Sequence, residues 1–188
     1  MTKRKKGKET YNGFTGSLKI WQQPVVGGKP QLILEKPNMV VYQGSDILAN
    51  TLGGKQNSAI SHMYIGFHNG SSFSPPAISK SDTRATYQAF SGNFGYLRFL
   101  LSTTPSYFTD TNYSNNNVVF TATVVASASE AGATFTPGTS YIYEAGLVNA
   151  QVPTDKAQDR LFSRANFSEI EFVSTYNLII SWAVKFVS

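Results

Sequence analysis

The chain has 188 residues and no cysteine, so it is long enough for a domain with its own core but has no disulfide, thiolate metal site or cysteine nucleophile. Sixteen Lys and Arg against eleven Asp and Glu give a formal net charge of +5, yet five of the basic residues (Lys3, Arg4, Lys5, Lys6 and Lys8) stand in the first eight positions and leave eleven against eleven elsewhere. A body without net charge lacks the basic face that a phosphate-gripping domain spreads over its fold, so nucleic acid is not an expected partner.

Residues 1–16 read as a flexible basic arm and residues 17–188 as one β-domain. No apolar stretch follows the basic run, which excludes a secretory signal, and nowhere do 18 apolar residues run together, so no membrane is expected. Charged residues make up only 14%, while Phe and Tyr number 13 and 10. Low charge with many aromatic, β-branched and small polar residues is the composition of a β-rich protein, and it also suits a surface that partners cover.

Short strands are expected at 17–23, 31–36, 39–43, 59–68, 85–91, 96–103, 118–126, 140–148, 167–173 and 178–187, with turn chemistry between most of them. The last is the clearest: Leu178, Ile180, Trp182, Val184 and Phe186 share one face, with Ser181 and Lys185 on the other. Ile170 and Phe172 alternate with Glu169 and Glu171, and Ser174–Asn177 can turn, so the last twenty residues read as an antiparallel hairpin. One segment breaks the pattern. Residues 45–53 read as a short helix with Ser45 as N-cap, Ile47, Leu48 and Leu52 as its apolar stripe and Gly53 as C-cap. Residues 126–140, rich in Ala, Ser, Thr and Gly, read as a long mobile loop, and Arg160–Arg164 as a polar linker anchored by Phe162. The fold class is therefore all-β, an antiparallel sandwich or jelly roll with one short helix.

Chemistry-bearing motifs are scarce. The sequence holds no G-x-S-x-G, no Walker-type loop and no G-x-G-x-x-G. His62 and His68 share a strand face but stand about 20 Å apart at ordinary strand rise, too far for one metal ion, and read as isolated strand histidines. Among the eleven carboxylates, Glu144, Asp155, Asp159, Glu169 and Glu171 are candidates for acid–base work, and Glu169 and Glu171 read as a solvated strand face. Tyr107, Phe108 and Tyr113 lack the basic groove that a base-stacking surface needs. No catalytic residue, metal or cofactor is expected, and the protein does not read as an enzyme.

Two stretches carry a family likeness. PNMVVYQGSDILANTLGG…ISHMYIGFHNG gives a strand, a short helix ending in Gly-Gly and a second strand. YEAGLV…DRLFSRANFSEIEFVSTYNLIISWAVKF gives an EAG strand leading to a final strand with L-x-I-x-W. Together they span roughly half the chain and resemble the structural proteins of tailed-bacteriophage virions, among them decoration (cement) and head- or tail-fibre proteins. The resemblance implies a non-enzymatic protein of the virion, assembled in the host cytoplasm. It would bind the outside of the capsid and reinforce the lattice of the major capsid protein, itself a homo-oligomer, dimer or trimer. On that reading Lys3, Arg4, Lys5, Lys6 and Lys8 form a capsid-attachment arm, and Tyr11, Phe14 and Trp21 supply apolar anchors. The alternatives are a receptor-binding tail or head-fibre domain using loops 69–83, 103–117 and 126–140, or a single-jelly-roll capsid protein whose basic arm binds packaged genome.

Overall fold

The computed structural model describes residues 14–55, 59–70, 74–75, 77–83, 94–101, 117–125, 135–150 and 158–186. In chain order the elements are β1 (Phe14–Pro24), β2 (Gln31–Pro37), β3 (Met39–Val40), α1 (Tyr42–Leu52), β4 (His62–Asn69), β5 (Phe94–Leu100), β6 (Asn117–Val124), β7 (Ser140–Asn149), β8 (Arg160–Glu171) and β9 (Tyr176–Phe186). The strands pair antiparallel throughout, in a four-stranded sheet ordered β2-β1-β9-β6 and a five-stranded sheet ordered β3-β8-β7-β4-β5.

Alternation explains why the sheets stack. Leu18 and Ile20 of β1, Val124 of β6, and Leu178, Ile180, Trp182 and Val184 of β9 all turn inward from the first sheet. Met63, Ile65 and Phe67 of β4, Leu97 of β5, and Ile142 and Leu147 of β7 meet them from the second. Each large side chain so buried contributes roughly 1.5–3 kcal/mol, which no exposed contact approaches. The architecture is an antiparallel β-sandwich with one short helix.

Several expectations need correcting. The first strand starts at Phe14, inside the span assigned to the arm, because residues 14–16 pair with 184–186 of β9. The helix starts three residues before Ser45. Val41 takes the N-cap position without any side-chain cap, the Tyr42 N–H donates to the Lys80 carbonyl at 2.8 Å, and the Ser45 N–H already donates to Val41 at 3.2 Å. Tertiary partners thus set the helix start, and Ser45 lies within it. The C-cap at Gly53 stands, with Gly54 beyond it at φ +72°. Ile47 is buried and Leu48 packs on the core, but Leu52 is 86% exposed and belongs to no stripe.

The C-terminal hairpin does not form. Strands β8 and β9 lie in different sheets, and residues 172–175 carry the chain from one to the other with Phe172 buried in the core. Arg160–Arg164 is not a linker but the first half of β8. Of the loop expected at 126–140, residues 126–134 lie outside the described residues, and Phe135 packs edge-on against Phe67 at 4.9 Å and stacks on Phe172 at 4.7 Å. The strand expected at 85–91, most of the loop at 103–117 and the aromatics Tyr107, Phe108 and Tyr113 lie outside the described residues.

Candidate functional site

Three places on the fold gather functional groups. The first covers the outward face of the five-stranded sheet, where register sets Tyr64 beside Gly146 and Arg164, and Gly66 beside Glu144 and Asn166. At Gly146 the absent side chain makes room for the Tyr64 ring, which a Cβ would strike. A bulge between Ile142 and Glu144 re-aims the chain there. The Tyr64 hydroxyl donates to Glu144 Oε1 at 2.7 Å, and Arg164 Nη2 donates to Glu144 Oε2 at 2.6 Å. Arg164 Nη1 reaches Asp82 Oδ2 at 3.0 Å, pinning the segment at 77–83 to the sheet. Nearby, Arg98 Nη1 pairs with Asp159 Oδ1 at 3.1 Å.

Glu144 is completely buried and Arg164 almost so. Buried charges persist only when paired and hydrogen-bonded, and these are. A network of this kind fixes the packing of β4, β7, β8 and the 77–83 segment. Burial pushes the Tyr143 hydroxyl far above the ordinary tyrosine range, with the Glu144 charge adding to the rise and Arg164 opposing it. A raised folded-state value means that Tyr143 favours the fold fully below about pH 10 and loses that contribution as pH climbs above it. Tyr143→Phe is therefore expected to flatten the alkaline fall of stability, read from urea unfolding between pH 8 and 11; an unchanged slope contradicts the assignment.

The second place is an open cavity of about 400 Å³ beside β2 and β8, lined by Lys36, Asn166, Ser168 and Glu169 among others. Lys36 Nζ donates to the Asn166 carbonyl at 2.7 Å, bridging the two sheets. Glu169, expected to be solvated, instead pairs through Oε1 with His68 Nε2 at 2.6 Å. His68 is itself buried and stacks on Tyr141 with ring centres 5.4 Å apart, so it is not an isolated strand histidine. His62 contacts Ser61 Oγ at 2.9 Å. Among the described residues no three His, Cys, Asp or Glu cluster closely enough to hold a metal ion.

The third place is the outward face of the four-stranded sheet. Inward-facing Leu18 and Ile20 force Trp21 outward, where register builds rows across four strands. One row runs Leu32, Trp21, Ile179, Thr123; the next runs Glu35, Lys19, Ser181, Thr121; a third runs Pro37, Ser17, Ala183, Val119. The only charges in the three rows, Lys19 and Glu35, neutralise each other at 3.1 Å. Trp21, Pro30, Thr121, Ile179 and Ser181 surround a shallow depression of about 290 Å³. At the hairpin tip next to it, Val26 is 98% exposed.

No family model, curated protein or solved structure matches the chain.

Of the expected site residues, Trp21 stands on this outer face, toward the Pro24 end of β1. Phe14 pairs by its backbone with Phe186 at the end of the same sheet. Lys3, Arg4, Lys5, Lys6, Lys8 and Tyr11 lie outside the described residues. The partners of Trp21 across the sheet, Ile179 and Leu32, were not singled out in the sequence, because only the register brings them together.

Proposed function

We propose that this chain is a non-enzymatic structural protein that docks the outer face of its four-stranded sheet onto a protein lattice. In the form that fits its resemblance, it decorates the outside of a phage capsid and stabilises the lattice of the major capsid protein. The observation that carries the reading is the outer face on which Trp21 stands among apolar and hydroxyl side chains, with Lys19 and Glu35 paired and Lys185 at its far end. Such a face loses little on desolvation, and tryptophan in the middle of a contact is a common energetic anchor. It binds by area and shape, as a protein repeated over many equivalent lattice positions must. The basic residues Lys3, Arg4, Lys5, Lys6 and Lys8 hold the whole net charge and serve in this reading as an attachment arm toward acidic ground, multiplying the grip through avidity.

Two measurements test it. Quantitative mass spectrometry of purified particles should find on the order of hundreds of copies, in a simple ratio to a separate major capsid protein. A few copies move the chain to a tail or fibre, no separate shell protein makes it the shell itself, and no copies at all overturn the virion reading. Trp21→Ala is expected to weaken co-sedimentation with undecorated shells by about 30-fold while leaving the melting temperature nearly unchanged. Undiminished binding of that variant removes the docking face from the proposal.

A further inference from the structure

Strand β8 leaves the regular ladder at one place. Glu144 pairs with Asn166 and Ile142 with Ile170, so Tyr143 alone on β7 stands opposite Phe167, Ser168 and Glu169 on β8. The surplus residues splay the strand, as bulges do where a sheet re-aims its side chains. Phe167 goes into the core, Ser168 is exposed, and Glu169 comes to line the cavity of about 400 Å³ beside β2. That volume lies in the range of small-molecule sites. Two opposite charges meet there, each steadied by a partner. Lys36 arrives from the other sheet and is held by its bond to the Asn166 carbonyl at 2.7 Å. Glu169 is held at 2.6 Å by His68, a buried ring stacked on Tyr141 with centres 5.4 Å apart. Polar groups fixed in this way, by partners that are themselves packed, are what a binding site needs.

We infer that this cavity binds one residue of a neutral sugar, through hydroxyl groups that accept from Lys36 and donate to Glu169. The charges select the class. Lys36 and Glu169 cancel, so a ligand with net charge of either sign meets a like charge beside its partner. A hydroxyl both donates and accepts, so neighbouring hydroxyls on a pyranose ring serve an ammonium and a carboxylate together. Neither group is used up by its protein partner, since an ammonium donates in several directions and a carboxylate accepts at about four sites. Ser168 and Asn166 add a hydroxyl and an amide of the same dual character. Hydrogen bonds between charged groups and neutral hydroxyls are the stronger kind, and the sugar brings no charge of its own to desolvate. The cavity shares no lining residue with the depression at Trp21, so the inference goes beyond the docking reading and does not depend on it.

Amide chemical shifts of the isotope-labelled full chain test it, in titrations with glucose, galactose, mannose and N-acetylglucosamine. At least one of the four should move the amides of Lys36 and of residues 166–169 saturably, with a Kd of about 1–10 mM, as suits a single small ligand. Glu169→Gln and Lys36→Met should each weaken that binding about tenfold while the rest of the spectrum stays in place, which also reports that both variants fold. Glycine, acetate and methylammonium serve as charged probes and should move these amides less. The methyl glycoside of the sugar that binds separates two sources: retained binding means the end of a glycan chain, and lost binding means the free sugar. No response to any of the four sugars, a response that both variants keep, or tighter binding of a charged probe overturns the inference. Trp21→Ala should bind the sugar as the wild type does, so failure of this site and failure of the docking face give different results.

Discussion

Glu144→Ala is expected to lower the unfolding free energy by about 3–5 kcal/mol, a large part of the 5–15 kcal/mol that a domain of this size possesses. The cost comes from what is left behind. Arg164 has lost one of two carboxylate partners, and its Nη2 no longer meets Glu144 Oε2 at 2.6 Å in a place that water does not reach. Tyr64 loses the acceptor of its hydroxyl at the same time. Glu144→Gln keeps the shape and one acceptor oxygen, so it should fall between the wild type and the alanine variant, and it keeps the test informative if Glu144→Ala does not fold. Replacing both sides of the pair, Glu144→Leu with Arg164→Met, should be much milder than Glu144→Ala alone, since a charge pair exchanged for packed apolar groups is often neutral. Urea unfolding of the three variants decides it. A loss below about 1 kcal/mol for Glu144→Ala would mean that the network is hydrated and adds little to the fold.

That network shows where reading the sequence stops. Alternation in β9 put Leu178, Ile180, Trp182 and Val184 on one face, and all four are in the core. But alternation says only that a strand has a core-facing side; it does not say which strand lies next to it. Strands β8 and β9 look like a hairpin because each has one apolar face, and they face the shared core from different sheets instead. In the first half of β8 the signal vanishes altogether, since Leu161–Ala165 are buried on both sides and leave no polar face to alternate with. Arg164 in that run looked like a linker charge because its partners, Glu144 and Asp82, are 20 and 82 residues away. Glu169 looked solvated for the same reason, its histidine being 101 residues distant. Ion pairs across a sheet follow register, and register follows bulges, such as those at Ile142 and Leu147, that no periodicity announces.

Helix α1 supplies the second large effect and a contrast of opposite signs. On intrinsic propensity Gly44→Ala favours a helix by about 1 kcal/mol. Here the added Cβ would be driven into the backbone of Phe162, against its carbonyl oxygen, carbonyl carbon and Cα. Phe162 lies at a bulge of β8, where its neighbours Leu161 and Ser163 are paired to β7 and its own side chain is anchored in the core, so the helix is expected to lift. Lifting breaks the Leu161 N–H bond to Gln43 Oε1 at 2.6 Å and the Val41 N–H bond to the Phe162 carbonyl at 3.1 Å, and it draws Ile47 out of the core. The net expectation is destabilisation by at least about 2 kcal/mol, with hydrogen exchange quickened in residues 42–52 ahead of the sheets. Ser45→Ala provides the control. If Ser45 capped the helix, its loss would cost about 1 kcal/mol; as an exposed residue inside the first turns it should be neutral or stabilise by a few tenths. Gly44→Ala down and Ser45→Ala level or up is the pattern that places the helix start at Tyr42 and its close approach at Gly44. The reverse pattern would return the start to Ser45 and detach the first turn from β8.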